Sequence, residues 1–159
     1  MSLSSVKYKT GNLANASERY IAHGCNAQGV MGAGVAKAIR AKYPDAFQFY
    51  RWNYEQFGLV LGDIVIYTEP MDGPFAEYSE PDNKIILNCI TQEHYGRNPN
   101  VQYVDYEAVK LCILKINKIA PGKNVAMSKI GSNHGGGDWD VVEKLLIENA
   151  QFQPVVYSL

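Results

Sequence analysis

His23-Gly24-Cys25-Asn26-Ala27-Gln28-Gly29-Val30-Met31-Gly32-Ala33-Gly34-Val35-Ala36 is the stretch whose reading decides the fold. Before it, the apolar run Arg19–His23 reads as a buried strand that ends at Gly24. After it, Val35–Arg40 is built of good helix formers. In a strand, glycine-rich loop and helix arrangement, exposed backbone N–H groups and the positive helix end together make an anion site. Glycine suits such a loop because it lets the backbone approach a ligand closely. The spacing Gly29-x-x-Gly32-x-Gly34 is neither the dinucleotide order GxGxxG nor the phosphate loop GxxxxGK[ST]. No acidic residue follows at the end of a plausible second strand.

Outward from this loop, strands and helices alternate. Val6–Lys9 reads as a short first strand, broken by Gly11-Asn12. Pro44 opens a second helix running to about Phe57, with Phe47, Tyr50, Tyr54 and Phe57 spaced as a buried stripe. Gly58 stops it, and Val60–Tyr67 and Lys84–Ile90 are two further strands. Between them Glu69–Asn83 carries three prolines and five acidic residues, a surface connection. Val101–Ile119 reads as the clearest helix, striped by Val101, Val104, Ala108, Leu111, Cys112, Ile116 and Ile119. Val125–Met127 is a short strand, and a second glycine-rich loop, Gly131–Gly137, leads to a helix over Trp139–Asn149 and a last strand over Pro154–Ser158. Alternation of this kind requires crossover connections. The expected fold class is α/β: one domain over residues 1–159, a three-layer α/β/α sandwich with a mixed, mostly parallel central sheet.

Composition sets outer limits. The chain has 159 residues, 47% of them hydrophobic and 19% charged, a globular rather than a disordered profile. Lys+Arg 15 against Asp+Glu 16 leaves a net charge of −1, without the electrostatic footprint of a phosphate-backbone binder, so charge gives no strong nucleic-acid signal. No apolar run approaches the roughly 20 residues of a membrane span, and no signal-peptide core opens the sequence. Cys25, Cys89 and Cys112 cannot all pair and form no CxxC, which points to a reducing, cytoplasmic setting. A monomer without cofactor or metal is expected.

Ligands of open α/β sheets bind beyond the carboxyl ends of the strands, where this sequence puts both glycine-rich loops. Two such loops suit a ligand with two phosphates, or a phosphate and a ribose. The segment His23-x-Cys25-Asn26-x-x-Gly29-x-Met31-Gly32-x-Gly34-Val35-Ala36 resembles the first ligand loop of macro domains, the ADP-ribose-binding α/β/α modules. It is most similar to the branch that holds the yeast-type ADP-ribose-1''-phosphate phosphatase with its phage and bacterial relatives. The resemblance extends over Thr10-Gly11-Asn12-Leu13, Asn88-x-x-Thr91-Gln92 and Ile130-Gly131 through Gly136-Gly137-Asp138-Trp139. It implies that Asn12 and Leu13 lie near an adenine. It places Asn26 at the distal ribose and wraps Gly32, Ala33, Gly34 and Val35 around that ribose and the pyrophosphate. Gly131, Ser132, Asn133, Gly135 and Gly136 then cradle the phosphates from the other side. Asn12 stands where the family commonly has Asp, so a hydrogen bond from an adenine amine lacks charge assistance. A related branch that removes ADP-ribose from proteins uses a Lys after the Ile-Thr of the fourth strand and an Asp in the last loop. Gln92 and Gly135 occupy those positions here, which argues against that covalent route.

The implied activity is hydrolysis of the terminal phosphate of ADP-ribose-1''-phosphate. The alternatives are a reader that only binds ADP-ribose, or a Lys-independent hydrolase of ADP-ribosyl adducts on proteins or nucleic acid. Candidate catalytic residues are His134, on a loop tip flanked by glycines; His23, at the end of a buried strand; Asn26; and Asp138. A histidine titrates near neutrality and suits acid–base work, whereas a buried one is also a common core residue. Asp138 equally suits a helix cap, and Asn26 a turn. Gln92, followed by Glu93, His94, Tyr95 and Arg97, stands where one wall of the cleft would close. Cys25 reads as a small buried residue.

Overall fold

Tyr20–Asn26 (β2) and Ile85–Gln92 (β4) pair in parallel at the centre of a six-stranded sheet. Both are nearly continuous apolar runs because helices cover both of their faces. The structure, a computed structural model, describes residues 5–69, 83–132 and 135–159; most of the expected connection 69–83, together with Asn133 and His134, lies outside the described residues. The other strands are Lys7–Thr10 (β1), Ile64–Thr68 (β3), Asn124–Met127 (β5) and Gln153–Ser158 (β6). Their order across the sheet is β1-β6-β5-β2-β4-β3, all parallel except β3, which runs antiparallel at the edge.

Strand alternation divides the core into two layers. Ile21, Cys25, Ile86 and Ile90 face Gly34–Lys42 (α1) and Pro44–Phe57 (α2), where they meet Ile39, Ala46, Phe47 and Tyr50. Ala22, Leu87 and Cys89 face Tyr106–Ile119 (α3) and Trp139–Asn149 (α4), against Val109, Cys112, Ile113, Val142 and Leu146. The three-layer expectation is met, with a mixed sheet. Among the described residues, no helix is long and apolar enough to cross a membrane.

Two element starts and one burial differ from the sequence reading. The helix expected from Val101 begins at Tyr106, because the Asp105 carboxylate accepts from the Ala108 amide at 2.9 Å and caps it. Val101 and Val104 fall on the helical stripe by spacing alone. Val104 is buried because its extended backbone bridges Gln92 and donates to the Gly135 carbonyl at 3.0 Å. The strand expected from Val60 begins at Ile64, since the Asp63 amide turns back to the Val60 carbonyl at 3.1 Å. In the α2 stripe Phe47 and Tyr50 are buried, but Phe57, at the overhanging last turn, is 75% exposed and packs edge-on against Trp52.

Candidate functional site

Sheet order explains where a site can form. The chain leaves β2 through α1 and α2 on one face, and leaves β4 and β5 through α3 and α4 on the other. Adjacent strands β2 and β5 therefore send their loops from the same carboxyl edge to opposite faces, which is the topological switch point where α/β sheets open a crevice. Gly11-Asn12, after β1, leaves from that edge too.

Asn26 organises the first loop from the end of β2. Its Oδ1 accepts from the amides of Gln28 at 3.0 Å and Val30 at 3.4 Å, and its Nδ2 donates to the Val30 carbonyl at 2.8 Å. The Tyr50 hydroxyl lies 3.0 Å from the same Oδ1. The acceptor side of Asn26 is thus occupied by the protein, and one amide hydrogen remains for a ligand. Gly29 lies against the Tyr54 ring, where a Cβ would come within 2.7 Å. Gly32 differs: among the described residues an added Cβ would meet nothing nearer than Val30 Cγ1 at 3.8 Å, and the residue is exposed.

Beyond Gly32, α1 starts without a side-chain cap, since Ala33 occupies the cap position. Its first helical hydrogen bond runs from the Lys37 amide to the Ala33 carbonyl at 3.3 Å. The amides of Gly34, Val35 and Ala36 stand ahead of that bond with no helical acceptor, at the positive end of the helix dipole. By contrast α3 and α4 are capped by Asp105 and Asp138.

The second loop owes its glycines to its own packing. A Cβ on Gly131 or Gly137 would strike Val104 at 2.7 and 2.5 Å, and one on Gly136 would sit 2.2 Å from the Val101 carbonyl oxygen. Gly135 is buried and its carbonyl accepts from the amides of Tyr103 and Val104. Gly131 and Ser132 are half-buried, Gly136 is exposed, and the Ser132 hydroxyl donates to the Lys129 carbonyl at 2.6 Å. Asn133 and His134 lie outside the described residues.

The remaining candidates separate. Asp138 is exposed, and its Oδ1 accepts from the Asp140 amide at 2.9 Å as the α4 cap. Gln92 donates to the His94 carbonyl at 2.8 Å, and its side-chain oxygen lies beside Gly135, so it joins the first wall to the second loop. Asn12 is exposed and caps a short 3-10 turn, accepting from the Ala14 amide at 3.0 Å, while Leu13 is buried against the α1/α2 layer. Among the described residues, no group of three or more His, Cys, Asp or Glu is arranged to hold a metal.

His23 is 0% exposed, on the α1/α2 face of the sheet, with Nε2 2.6 Å from Asn88 Oδ1. Asn88 in turn donates to the Val65 carbonyl at 3.1 Å, which makes its Oδ1 the acceptor and His23 Nε2 the donor. Burial pushes the His23 pKa down to about 4, with Asn88 opposing it. This geometry encloses the ring and makes it an internal tie between β2 and β4. The Cys25 thiol, 3.6 Å from the same ring, is pushed well up by burial and stays protonated. Because the unfolded imidazole titrates near 6.5, the folded state binds its proton later. The His23 contribution is whole above pH 6.5 and is lost as pH falls toward 4. Urea unfolding should show about 2 kcal/mol less stability from this group at pH 5 than at pH 7. His23→Gln should flatten that part of the profile, and an unchanged slope would contradict the burial.

The profile of the macro domain family matches residues 22–146, most of the chain, and spans both loops. The chain belongs to the macro domain family. The DNA ADP-ribosyl glycohydrolase of Mycobacterium tuberculosis is 29% identical over 153 residues, which cover 95% of this macro domain but 40% of that protein. The chain thus spans well under half the length of that relative. The ADP-ribose 1''-phosphate phosphatase of Scheffersomyces stipitis is 29% identical over 162 aligned residues, covering 89% of this chain and 92% of the phosphatase. Among solved structures, the macrodomain of Thermus aquaticus DarG superposes with a TM-score of 0.74 at 25% identity, over 98% of this chain and 99% of that one.

Three contributors escaped the sequence reading: Asn88 as the partner of His23, the Tyr50 hydroxyl, and Arg51. Tyr50 was legible as a buried stripe position, but periodicity says nothing of where its hydroxyl points.

Proposed function

We propose that this macro domain binds ADP-ribose and hydrolyses the terminal phosphate of ADP-ribose-1''-phosphate. The observation that carries the reading is the uncapped N-terminus of α1 behind the open Gly32, at the switch point between β2 and β5. Amides of Gly34 and Val35 would hold phosphate oxygens and, kept dry by the ligand, would stabilise charge gathering on them as the P–O bond breaks. Asn26 offers its remaining amide hydrogen to a ribose hydroxyl. Water attacks phosphorus, the bond to the sugar oxygen breaks, protonated His134 gives that oxygen a proton, and the proton shed by the attacking water restores the histidine. Asp138, with one carboxylate oxygen committed to the α4 cap, has the other available to orient the histidine. Gln92, where a related branch carries Lys, supplies no amine for attack at the anomeric carbon, which favours phosphate release over covalent glycosyl transfer.

Similarity to the mycobacterial glycohydrolase over 95% of the chain favours a second reading, Lys-independent release of ADP-ribose from modified DNA. Purified protein given ADP-ribose-1''-phosphate should liberate inorganic phosphate, and His134→Ala should lower kcat by about 10²-fold or more. Tight binding of ADP-ribose with no phosphate released would leave a reader module. Release of ADP-ribose from modified DNA with none of the phosphatase reaction would establish the second reading.

A further inference from the structure

Helix α2 sits outside the glycine motifs, yet one turn of it grips the first loop. Tyr50 is 0% exposed, and its hydroxyl hydrogen is shared between the backbone oxygen of Asn26 at 2.5 Å and its side-chain oxygen at 3.0 Å. The next residue, Arg51, donates through Nη1 to the Gly29 carbonyl at 3.3 Å. Its guanidinium lies over the Tyr54 ring, 5.2 Å from the centroid, and Glu55 accepts from its Nε at 2.8 Å. Tyr54 is the ring on which Gly29 rests. Residues 50, 51 and 54 thus reach Asn26 and Gly29 from one helical turn, and they close around the bonds by which Asn26 folds residues 28–30.

We propose that Tyr50, Arg51 and Tyr54 are positioning residues that hold the first glycine-rich loop in its ligand-binding shape before any ligand arrives. A loop already ordered by its own scaffold spends little binding energy on ordering, so the clamp sets affinity without touching the ligand. Without the Tyr50 hydroxyl, Asn26 keeps its amide partners but loses the bond that fixes its backbone oxygen to α2. Without Arg51, the Gly29 carbonyl turns to solvent and the segment toward Gly32 loosens.

Hydrogen exchange on the ligand-free protein tests the clamp independently of function. In Tyr50→Phe the amides of Gln28 and Val30, which donate to Asn26, should exchange about tenfold faster, as expected for loss of one hydrogen bond, while amides of β2 and β4 keep their rates. Arg51→Ala, on a partly exposed residue whose loss leaves the core intact, should show the same local change at Val30, the amide that follows the Gly29 carbonyl. Unchanged exchange in these loop amides, or acceleration spread evenly over the core, would overturn the proposal. For the affinity arm, which rests on the proposed ADP-ribose site, both variants should weaken ADP-ribose binding about 5- to 10-fold by calorimetry. Parent-like affinity in both would overturn the clamp. A parent protein that binds no ADP-ribose would instead refute the functional reading, with the exchange arm still deciding the clamp.

Discussion

Gly32→Glu should cost at least about 100-fold in ADP-ribose affinity, roughly 2.7 kcal/mol, while the melting temperature stays within a degree or two of the parent. The two halves of that result come from one observation. Among the described residues, a Cβ at position 32 would meet only Val30 Cγ1, at an ordinary 3.8 Å, and the position is exposed, so the fold should accept a glutamate there. The open space is the approach to the α1 amides. A carboxylate in it would obstruct a diphosphate and repel it, by about 1–4 kcal/mol for charges near 4 Å at the edge of a protein. Gly32→Ala should fall between the two. Calorimetry and a thermal melt on the same samples check both halves. Parent-like affinity in Gly32→Glu would remove α1 from the site.

Gly136→Ala should produce the opposite pattern, a large loss of stability that precedes any effect on ligand. Gly136 has φ +69, in the left-handed region that costs an L-residue about 1–2 kcal/mol. Its Cβ would also stand 2.2 Å from the Val101 carbonyl oxygen, a backbone atom that cannot step aside as a side chain would. Together these predict a destabilisation of about 3 kcal/mol or more, and a melting temperature lower by roughly 6–12 °C for a domain of this size. A melting temperature equal to the parent's would show that the second loop does not pack on residues 101–104 as described.

The contrast between these two glycines marks how far a sequence can be read. The strands β2 and β4 are legible because parallel strands buried on both faces are mostly apolar, and the first loop is legible because strand, glycines and helix formers follow one another. Gly32 and Gly136 look alike in the sequence. One is open to solvent and the other leaves space for Val101, and that difference arises only when the 101–104 segment lies extended across the loop. In the sequence the segment reads as helix, since Val101 and Val104 share the spacing of the true stripe that begins after the Asp105 cap. His23 was legible as a histidine at a strand end, but its neighbour Asn88 is 65 positions away in the chain, and that contact is what makes it an internal tie. Tyr50 and Phe57 belong to one periodic stripe, although one is enclosed beneath the first loop and the other overhangs the last turn of α2.

The central claim is that the backbone amides at the carboxyl edge of β2 and β5 hold the ligand. It competes with a more apolar place on the surface, a hollow of about 560 Å³ lined by Phe49, Phe57, Val60, Ile66 and Lys118 beside β3. Amide chemical shifts recorded while ADP-ribose is added to the labelled protein compare the two directly. The largest shifts should fall on Gly32, Ala33, Gly34, Val35, Gly131 and Ser132, with the amides of Phe57–Ile66 unmoved. Shifts gathered along Phe57–Ile66, or none at all at saturating ligand, would contradict it.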